Sequence, residues 1–278
     1  MFRKRDAFKR PIPYVLLSAF VAIGVLLTSN PAVLGFSIWD VLPSAVQVVQ
    51  LSTMSDEQEV AIGSQINDRL LENDIALYQN SQVVEYVDRI GQRLVRVSDR
   101  ADLPFTFQVV EDDRVNAFAT LGGFVYVHTG LLREAENEAE LAGVIAHEIG
   151  HIVERHAIEK MKQAAIAQGL LNAAGIDADA LVQIGYELAI RRPSSRSAEY
   201  EADDVGLALI ESAGYAPIGM VNFYHKLTSQ PSAPEFLSTH PNTNDRIVRL
   251  QRQIDLATAT RGDGLDREAY RRQIQSLL

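Results

Sequence analysis

The chain has 278 residues, which is enough for one well-buried domain or two small ones. Its formal net charge of −10 argues against a nucleic-acid-binding protein, because phosphate binding requires a basic surface. The sequence contains no cysteine, which excludes a disulfide framework, a thiolate metal site and a cysteine nucleophile.

The first 30 residues have the pattern of a membrane-targeting segment. A cluster of basic residues precedes an apolar run from Ile12 to about Leu27, which predicts a signal peptide or a signal anchor at residues 1–30. No clear cleavage site follows, so we favour an uncleaved membrane helix, with a cleaved signal peptide as the alternative. The basic residues before the run predict a cytoplasmic N-terminus and place the rest of the chain on the extracytoplasmic, periplasmic side.

Regular structure is predicted to begin after a connector at residues 31–54. Residues 55–73 look helical, with Ser55 as a plausible N-cap, and residues 81–97 repeat apolar side chains at helical spacing. Three β-rich segments follow and predict a small three-stranded sheet; they are residues 105–110, 116–119 and 123–127, the last two joined by a turn at residues 121–123.

The remainder of the chain is predicted to be helical. The predicted helices cover residues 134–162, 163–192, 195–214 and 244–256, with a short helix from Pro217 and a polar helical tail within residues 257–278. The segment 163–192 could also act as a lid over a cleft. The predicted fold class is therefore α+β: mostly helices with one small β-sheet, preceded by one N-terminal membrane helix.

A pair of histidines gives the clearest indication of a metal site. His147 and His151 lie four residues apart on a predicted helix, so both imidazoles project from one face and can share one Zn²⁺. Glu148 lies beside them, where a carboxylate can take a proton from an attacking water. A helix with two surface histidines is the alternative for this motif alone. Gly143 and Gly150 are poor helix formers, which makes sense if another backbone comes close to this helix.

Two histidines leave a zinc site without a third protein ligand. The extended metzincin pattern would place glycine three and histidine six residues after His151, but Glu154 and Ala157 stand there. That class is therefore excluded, and the third ligand must come from another segment.

The best candidate for that ligand lies in residues 195–203. Glu199 and Asp203 are four residues apart and share a helical face, so Glu199 is predicted as the third ligand. Asp203 is predicted to accept the outer N–H of a ligand histidine. Glu201 points to a different face and is the second choice, and a solvated acidic helix start is the alternative for the whole stretch.

These residues resemble the gluzincin metallopeptidases, peptidase family forty-eight. The resemblance covers roughly residues 55–256. Its motifs are His147 to His151, Ser195 to Asp203, Asn116-Ala117-Phe118-Ala119 with the glycine-led segment Gly122 to Val127, and His240-Pro241 with Arg246.

The resemblance implies a zincin-like metallopeptidase domain at residues 55–256 with one Zn²⁺. It implies Glu199 as third ligand, in agreement with the spacing, and places His240 near the metal, where it could fill the open coordination position and switch the enzyme off. A loop histidine that caps a helix is the alternative for His240. Arg246 could stabilise an oxyanion or pair with a carboxylate. His128, His156 and His225 have no matching role, and we interpret them as structural.

The implied reaction is peptide-bond hydrolysis by a zinc-dependent endopeptidase with Glu148 as general base. Substrate would lie extended along the strand formed by Asn116, Ala117, Phe118 and Ala119. Unfolded or misfolded proteins are the expected substrates, in membrane or envelope quality control. One alternative is a membrane-tethered binder or chaperone whose zinc site is latent or structural; a weaker one is a gluzincin that acts on small peptides or amides.

Overall fold

The computed structural model describes residues 51, 53–169, 178–191 and 193–278. The predicted membrane segment, nearly all of the connector and the centre of the possible lid lie outside the described residues. Within the part described, no helix combines the length and the apolar composition needed to cross a bilayer.

The expected α+β fold, mostly helical with a small sheet, is confirmed. The helices are α1 (Asp56–Asn73), α2 (Ser81–Val95), α3 (Thr129–Glu134), α4 (Glu138–Val153), α5 (His156–Ala167), α6 (Ala178–Arg191), α7 (Arg196–Ser212), α8 (Ile218–Thr228), α9 (Glu235–Thr239), α10 (Thr243–Gln253) and α11 (Arg267–Gln273). The strands are β1 (Thr106–Val110), β2 (Ala117–Ala119) and β3 (Phe124–His128). Short 3₁₀ turns occupy Leu121–Gly123 and Gln275–Leu277.

Local sequence explains where the first helices begin. The Ser55 hydroxyl accepts the Gln58 backbone N–H, and the Gln58 side chain accepts the Ser55 N–H, so a complete capping box starts α1. Asn80 caps α2 in the same way by accepting the Val83 N–H. Helix α2 then buries one apolar face against β1, which fixes it on the sheet.

The sheet has the strand order β1-β3-β2. Strand β1 runs parallel to β3, whereas β2 runs antiparallel to it, so β2 forms an edge of this sheet. Val125 and Val127 on one face of β3 belong to the main core with the apolar residues of α2 and α4. Tyr126, on the opposite face, belongs to a second apolar cluster built with α1, α5 and α6.

The predicted helix 134–162 is wrong as a single element, because it consists of parts of α3, α4 and α5. The Asn137 side chain accepts the Glu140 N–H and starts α4 anew. Arg155 then adopts a left-handed conformation, with φ 55°, between α4 and α5. Its guanidinium lies 2.6 Å from the Met54 carbonyl and 3.1 Å from a Glu59 carboxylate oxygen, contacts that stabilise the turn. After this break, the His156 ring lies beside His151, with 2.9 Å between their Nδ1 atoms.

Glycines allow α4 to approach its neighbours closely, as predicted for Gly143 and Gly150. A Cβ on Gly150 would lie 2.6 Å from the Ala202 carbonyl oxygen of α7. A Cβ on Gly143 would lie 2.8 Å from Met220 Cα of α8. Since real Cβ atoms do not come this close, glycine at both positions is a condition of the observed packing.

Candidate metal centre

Two packed helices bring the predicted metal-binding side chains together. Helix α4 presents His147 and His151, and α7 presents Glu199 from the facing side. The Nε2 atoms of the two imidazoles are 3.1 Å apart, and each lies 3.4 Å from one of the two Glu199 oxygens. These atoms, with a nitrogen of His240, all lie within 4.8 Å of one another. The i, i+4 spacing in α4 explains why both rings point at one place.

The chemistry of these donors fits a zinc ion. Glu199 is fully buried. Its Oε2 forms an ion pair with Arg246, whereas its Oε1 has no hydrogen-bond donor among the residues that the structure describes. Burial raises the pKa of this carboxyl, but its proximity to His240, His147 and His151 lowers the pKa by more, so the group stays ionised. Buried lone pairs that face one another are unfavourable unless a cation lies between them. Two imidazoles and one carboxylate are a donor set that Zn²⁺ prefers.

Asp203 lies on the outer side of His147. Its Oδ1 is 3.0 Å from His147 Nδ1, so the ring can donate outward to Asp203 while Nε2 faces the other donors. Burial and the Arg246 charge lower the pKa of His147, but the bonds to Asp203 and Glu199 outweigh them and raise it to about 9. Burial raises the pKa of Asp203, whereas its bonds with Arg246 lower it to about 2.

Arg246 is buried completely at the back of this cluster. Its Nε and Nη2 each donate to one Asp203 oxygen at 2.7 Å, and its Nη1 lies 2.7 Å from Glu199 Oε2. Nη2 also donates to the Tyr224 hydroxyl at 2.5 Å. Of the two roles considered for Arg246, pairing with carboxylates is the one that these contacts support.

His240 follows α9 and lies on the remaining side of the cluster. Its Nδ1 is 3.1 Å from His147 Nε2 and 3.3 Å from Glu199 Oε2, while its Nε2 is 3.4 Å from a Glu148 oxygen. The ring stacks on Phe236 at 4.4 Å between centroids, which fixes its plane. The structure therefore places His240 with the candidate ligands.

A cavity of about 330 Å³ opens beside the cluster. Glu148, which is 1% exposed, lines it together with His151 and His240. The Glu148 Oε1 atom has no hydrogen-bond donor among the described residues. This carboxylate therefore lies at the cavity wall, where its Oε1 faces His240 Nε2 at 3.4 Å without a hydrogen bond.

Strand β2 forms another wall of the cavity. It carries three of the four residues predicted to bind substrate, and the fourth, Asn116, directly precedes it. Asn116, Phe118 and Ala119 line the cavity. The His128 N–H donates to the Asn116 carbonyl and the Thr120 N–H donates to the Phe124 carbonyl, so the bonds to β3 fall on even-numbered residues. In an antiparallel pair the alternate residues, Ala117 and Ala119, therefore direct their backbone groups toward the open edge.

Two residues beside the cluster have contacts that the sequence interpretation missed. His156 Nδ1 lies 2.9 Å from His151 Nδ1, and His156 Nε2 lies 3.0 Å from a Glu201 oxygen. Glu201, the second choice for a metal ligand, is not in the group of four side chains that could hold an ion. His156 was overlooked because a continuous helix would carry it away from His151; Arg155 is not a residue type that signals a left-handed turn.

The two other histidines interpreted as structural lie apart from the four-residue cluster. His128 is buried and lines the cavity, and its ring nitrogens have no hydrogen-bond partner among the described residues. His225 is exposed on α8, with its Nε2 3.0 Å from the Gln251 side-chain amide.

Sequence comparisons agree with this geometry. A model of peptidase family M48 matches residues 81–254. The β-barrel assembly-enhancing protease of Escherichia coli K12 is 32% identical over 214 residues, which cover 71% of this chain and 44% of that protein. The corresponding protease of Yersinia pestis is 33% identical over 214 residues, covering 70% of this chain and 44% of its own length. The mitochondrial metalloendopeptidase OMA1 of Schizosaccharomyces pombe is 32% identical over 183 residues, covering 63% of this chain and 54% of the yeast protein.

The chain thus spans less than half the length of the bacterial relatives that it matches. The family match nevertheless covers more than half of this chain and includes both histidine-bearing α4 and Glu199. The chain therefore belongs to peptidase family M48, a family of zinc metallopeptidases.

Proposed function

We propose that this chain is a zinc-dependent endopeptidase whose metal is held by His147, His151 and Glu199. The observation that carries the proposal is the meeting of three buried side chains, two imidazoles and one carboxylate, whose ligand atoms lie within 4.8 Å of one another. When bound, zinc supplies a Lewis acid for the scissile carbonyl and the attacking water. The remaining steps belong to side chains of this chain.

Glu148 is the proposed general base. It is buried at the cavity wall, next in sequence to a ligand, and its free oxygen can accept a proton from a water in the cavity. It then passes the proton to the leaving amine. Asp203 holds the outer N–H of His147, which fixes the tautomer that leaves Nε2 free for the metal. Arg246 compensates the buried carboxylates of Asp203 and Glu199.

The proposed substrates are unfolded or misfolded polypeptides. An extended segment can pair with the outward backbone groups of Ala119 and with the Ala117 carbonyl, whereas the Ala117 N–H already donates to the Asn116 side chain. Such pairing depends on the peptide backbone more than on side chains. Beyond this edge the cavity has apolar walls that can receive one substrate side chain; they include Phe118, Leu121, Ile158, Met161 and Leu188. Unfolded chains expose long stretches of unpaired backbone beside apolar side chains, whereas folded proteins pair most of their backbone groups internally.

The proposed setting is protein quality control at a membrane or in the cell envelope. The predicted anchor at residues 1–30 would tether the catalytic domain on the extracytoplasmic side, or a cleaved signal would release it there. The bacterial relatives, named β-barrel assembly-enhancing proteases, and the mitochondrial relative, a metalloendopeptidase, support this setting. The net charge of −10 supports a function without nucleic acid.

The test is digestion of unfolded casein by the purified full chain, with zinc measured in the same samples. Wild type should contain one zinc per chain and cleave casein, while Glu148→Gln should keep its zinc and lose about 10²–10⁴-fold in rate. Glu154→Gln, an exposed carboxylate at the end of the same helix, should retain wild-type activity. Cleavage by Glu148→Gln at the wild-type rate would show that another group is the base.

The ligand set has its own test. Glu199→Gln should lose zinc, because an amide is a much weaker ligand than a buried carboxylate. A wild-type protein without zinc, or a Glu199→Gln variant with unchanged zinc affinity, would contradict the proposed site. Intact casein and short peptides should be compared as substrates, since a peptidase for small amides would cleave only the peptides.

A further inference from the structure

We propose that His156 and Glu201 form a positioning pair that orients His151, in a chain from the metal ligand to the protein surface. This inference rests on the proposed ligand role of His151. The two links are short: His151 Nδ1 to His156 Nδ1 is 2.9 Å, and His156 Nε2 to Glu201 Oε2 is 3.0 Å.

The positions of the protons follow from the ligand role. A histidine that gives its Nε2 lone pair to a metal must carry its proton on Nδ1 when neutral. The Nδ1–H of His151 therefore donates to His156 Nδ1, which must accept. His156 is then neutral with its proton on Nε2, and that N–H donates to Glu201 Oε2. Each bond in the chain has one donor and one acceptor, so the two contacts are compatible with metal ligation by His151.

The opposite proton arrangement does not allow ligation. If His156 carried protons on both nitrogens, the Nδ1 atom of His151 would have to accept, and the His151 proton would lie on Nε2. That proton would occupy the lone pair needed for the metal.

The two ligand imidazoles thus differ in the group that accepts the hydrogen bond from their Nδ1–H. His147 donates directly to the buried carboxylate of Asp203. His151 reaches a carboxylate only through His156, whose side chain is 9% exposed, and that carboxylate is on Glu201, whose side chain is 57% exposed. Glu201 lies on α7, the helix that also carries Glu199, whereas His156 is the first residue of α5. The left-handed Arg155 is what turns His156 back toward His151.

Zinc affinity is the first measurement, made by competition with a chelator on the purified full chain. His156→Leu removes the acceptor and should weaken zinc binding about 10–100-fold, as loss of an outer partner typically does. His156→Asn places an amide oxygen where Nδ1 stood and should restore most of that loss. Glu201→Ala should weaken binding less than His156→Leu, and Glu201→Gln, which can still accept, should be near wild type. Glu211→Ala, an exposed carboxylate on the same helix, is the control.

Melting temperatures of the metal-free variants separate positioning from folding. A positioning role predicts that His156→Leu and His156→Asn melt alike without metal while their zinc affinities differ. Equal zinc affinity of His156→Leu and wild type would overturn the inference. A loss that His156→Asn does not reverse would overturn it too.

The ring tautomers give a second, direct measurement. In ¹⁵N-histidine-labelled protein loaded with zinc, His156 should show the neutral Nε2–H tautomer and His151 the Nδ1–H tautomer. A doubly protonated His156 ring would overturn the inference. His151→Leu distinguishes the ligand set from the positioning pair. Unchanged zinc affinity of His151→Leu would refute the proposed ligand set. Lost affinity of His151→Leu together with unchanged affinity of His156→Leu would refute only the positioning pair.

Discussion

The Nδ1 atom of His240 lies 3.1 Å from the Nε2 atom of His147. The opposite nitrogen of the His240 ring lies 3.4 Å from the Glu148 carboxylate. In a zinc site with three protein ligands, the fourth position must be open to water or substrate. A neutral imidazole is itself a ready zinc ligand, so His240 is placed to compete for that position. The same contact would also restrict the movement of the proposed base.

Replacing His240 with alanine should therefore raise the rate of casein cleavage. If about nine-tenths of the molecules are blocked by His240, removal of the ring raises activity about tenfold. Initial rates at matched zinc content measure the effect, and His225→Ala, an exposed histidine distant from the cluster, is the control. Unchanged or lower activity with full zinc content would contradict a blocking role and would favour a supporting role for His240 in the site.

Arg246→Met should destabilise the metal-free protein by about 3–5 kcal/mol, because it leaves buried carboxylates without their counter-charge. Zinc should recover part of this loss, since the metal also compensates Glu199. Denaturant unfolding with zinc and with a chelator measures both values. Arg249→Met breaks a half-exposed ion pair with Asp204 on the neighbouring part of α7 and should cost no more than about 1 kcal/mol. If the two variants lose equal free energy of unfolding, Arg246 does not compensate the buried carboxylates to any special degree.

The sequence predicted the three closest donors because they obey one simple rule. His147 with His151, and Glu199 with Asp203, are pairs at i and i+4, and helical periodicity places each pair on one face without knowledge of the fold. The small residues that bring α4 and α7 together could also be recognised, since Gly150 has no other reason to lie inside a helix.

His156 and Glu201, the part of the site that was not predicted, depend on a turn that the local sequence does not indicate. Arg155 takes a left-handed conformation that normally favours glycine or asparagine, and tertiary contacts with Met54 and Glu59 hold it there. Apolar spacing continues across the break, so a single helix was the natural prediction. The contact between His151 and His156 follows only once that turn is known. The role of Arg246 could not be decided from the sequence either, because its partners Glu199, Asp203 and Tyr224 lie on two other helices.

Gly150→Ala should weaken zinc binding as well as folding. Its new Cβ would lie 2.6 Å from the Ala202 carbonyl oxygen, so α4 and α7 must separate and move His151 away from Glu199. Overpacking of this kind costs about 1–3 kcal/mol of folding stability. Gly143→Ala creates a similar clash with Met220 on α8, away from the ligand pair, and is the matched control. Both variants should melt at a lower temperature than wild type without metal. Only Gly150→Ala should also bind zinc more weakly than its loss of folding stability explains.

Ala119→Pro tests whether substrate adds to the open edge of β2. The backbone of Ala119 faces away from β3, so proline removes an outward N–H without breaking a bond inside the sheet. Loss of one backbone hydrogen bond, worth about 1 kcal/mol, should raise KM for a peptide substrate roughly five- to tenfold with little change in kcat. Ala119→Val adds comparable bulk but keeps the N–H, so it separates steric effects from hydrogen bonding. If valine and proline raise KM equally, or if proline lowers kcat alone, substrate does not bind through this backbone group.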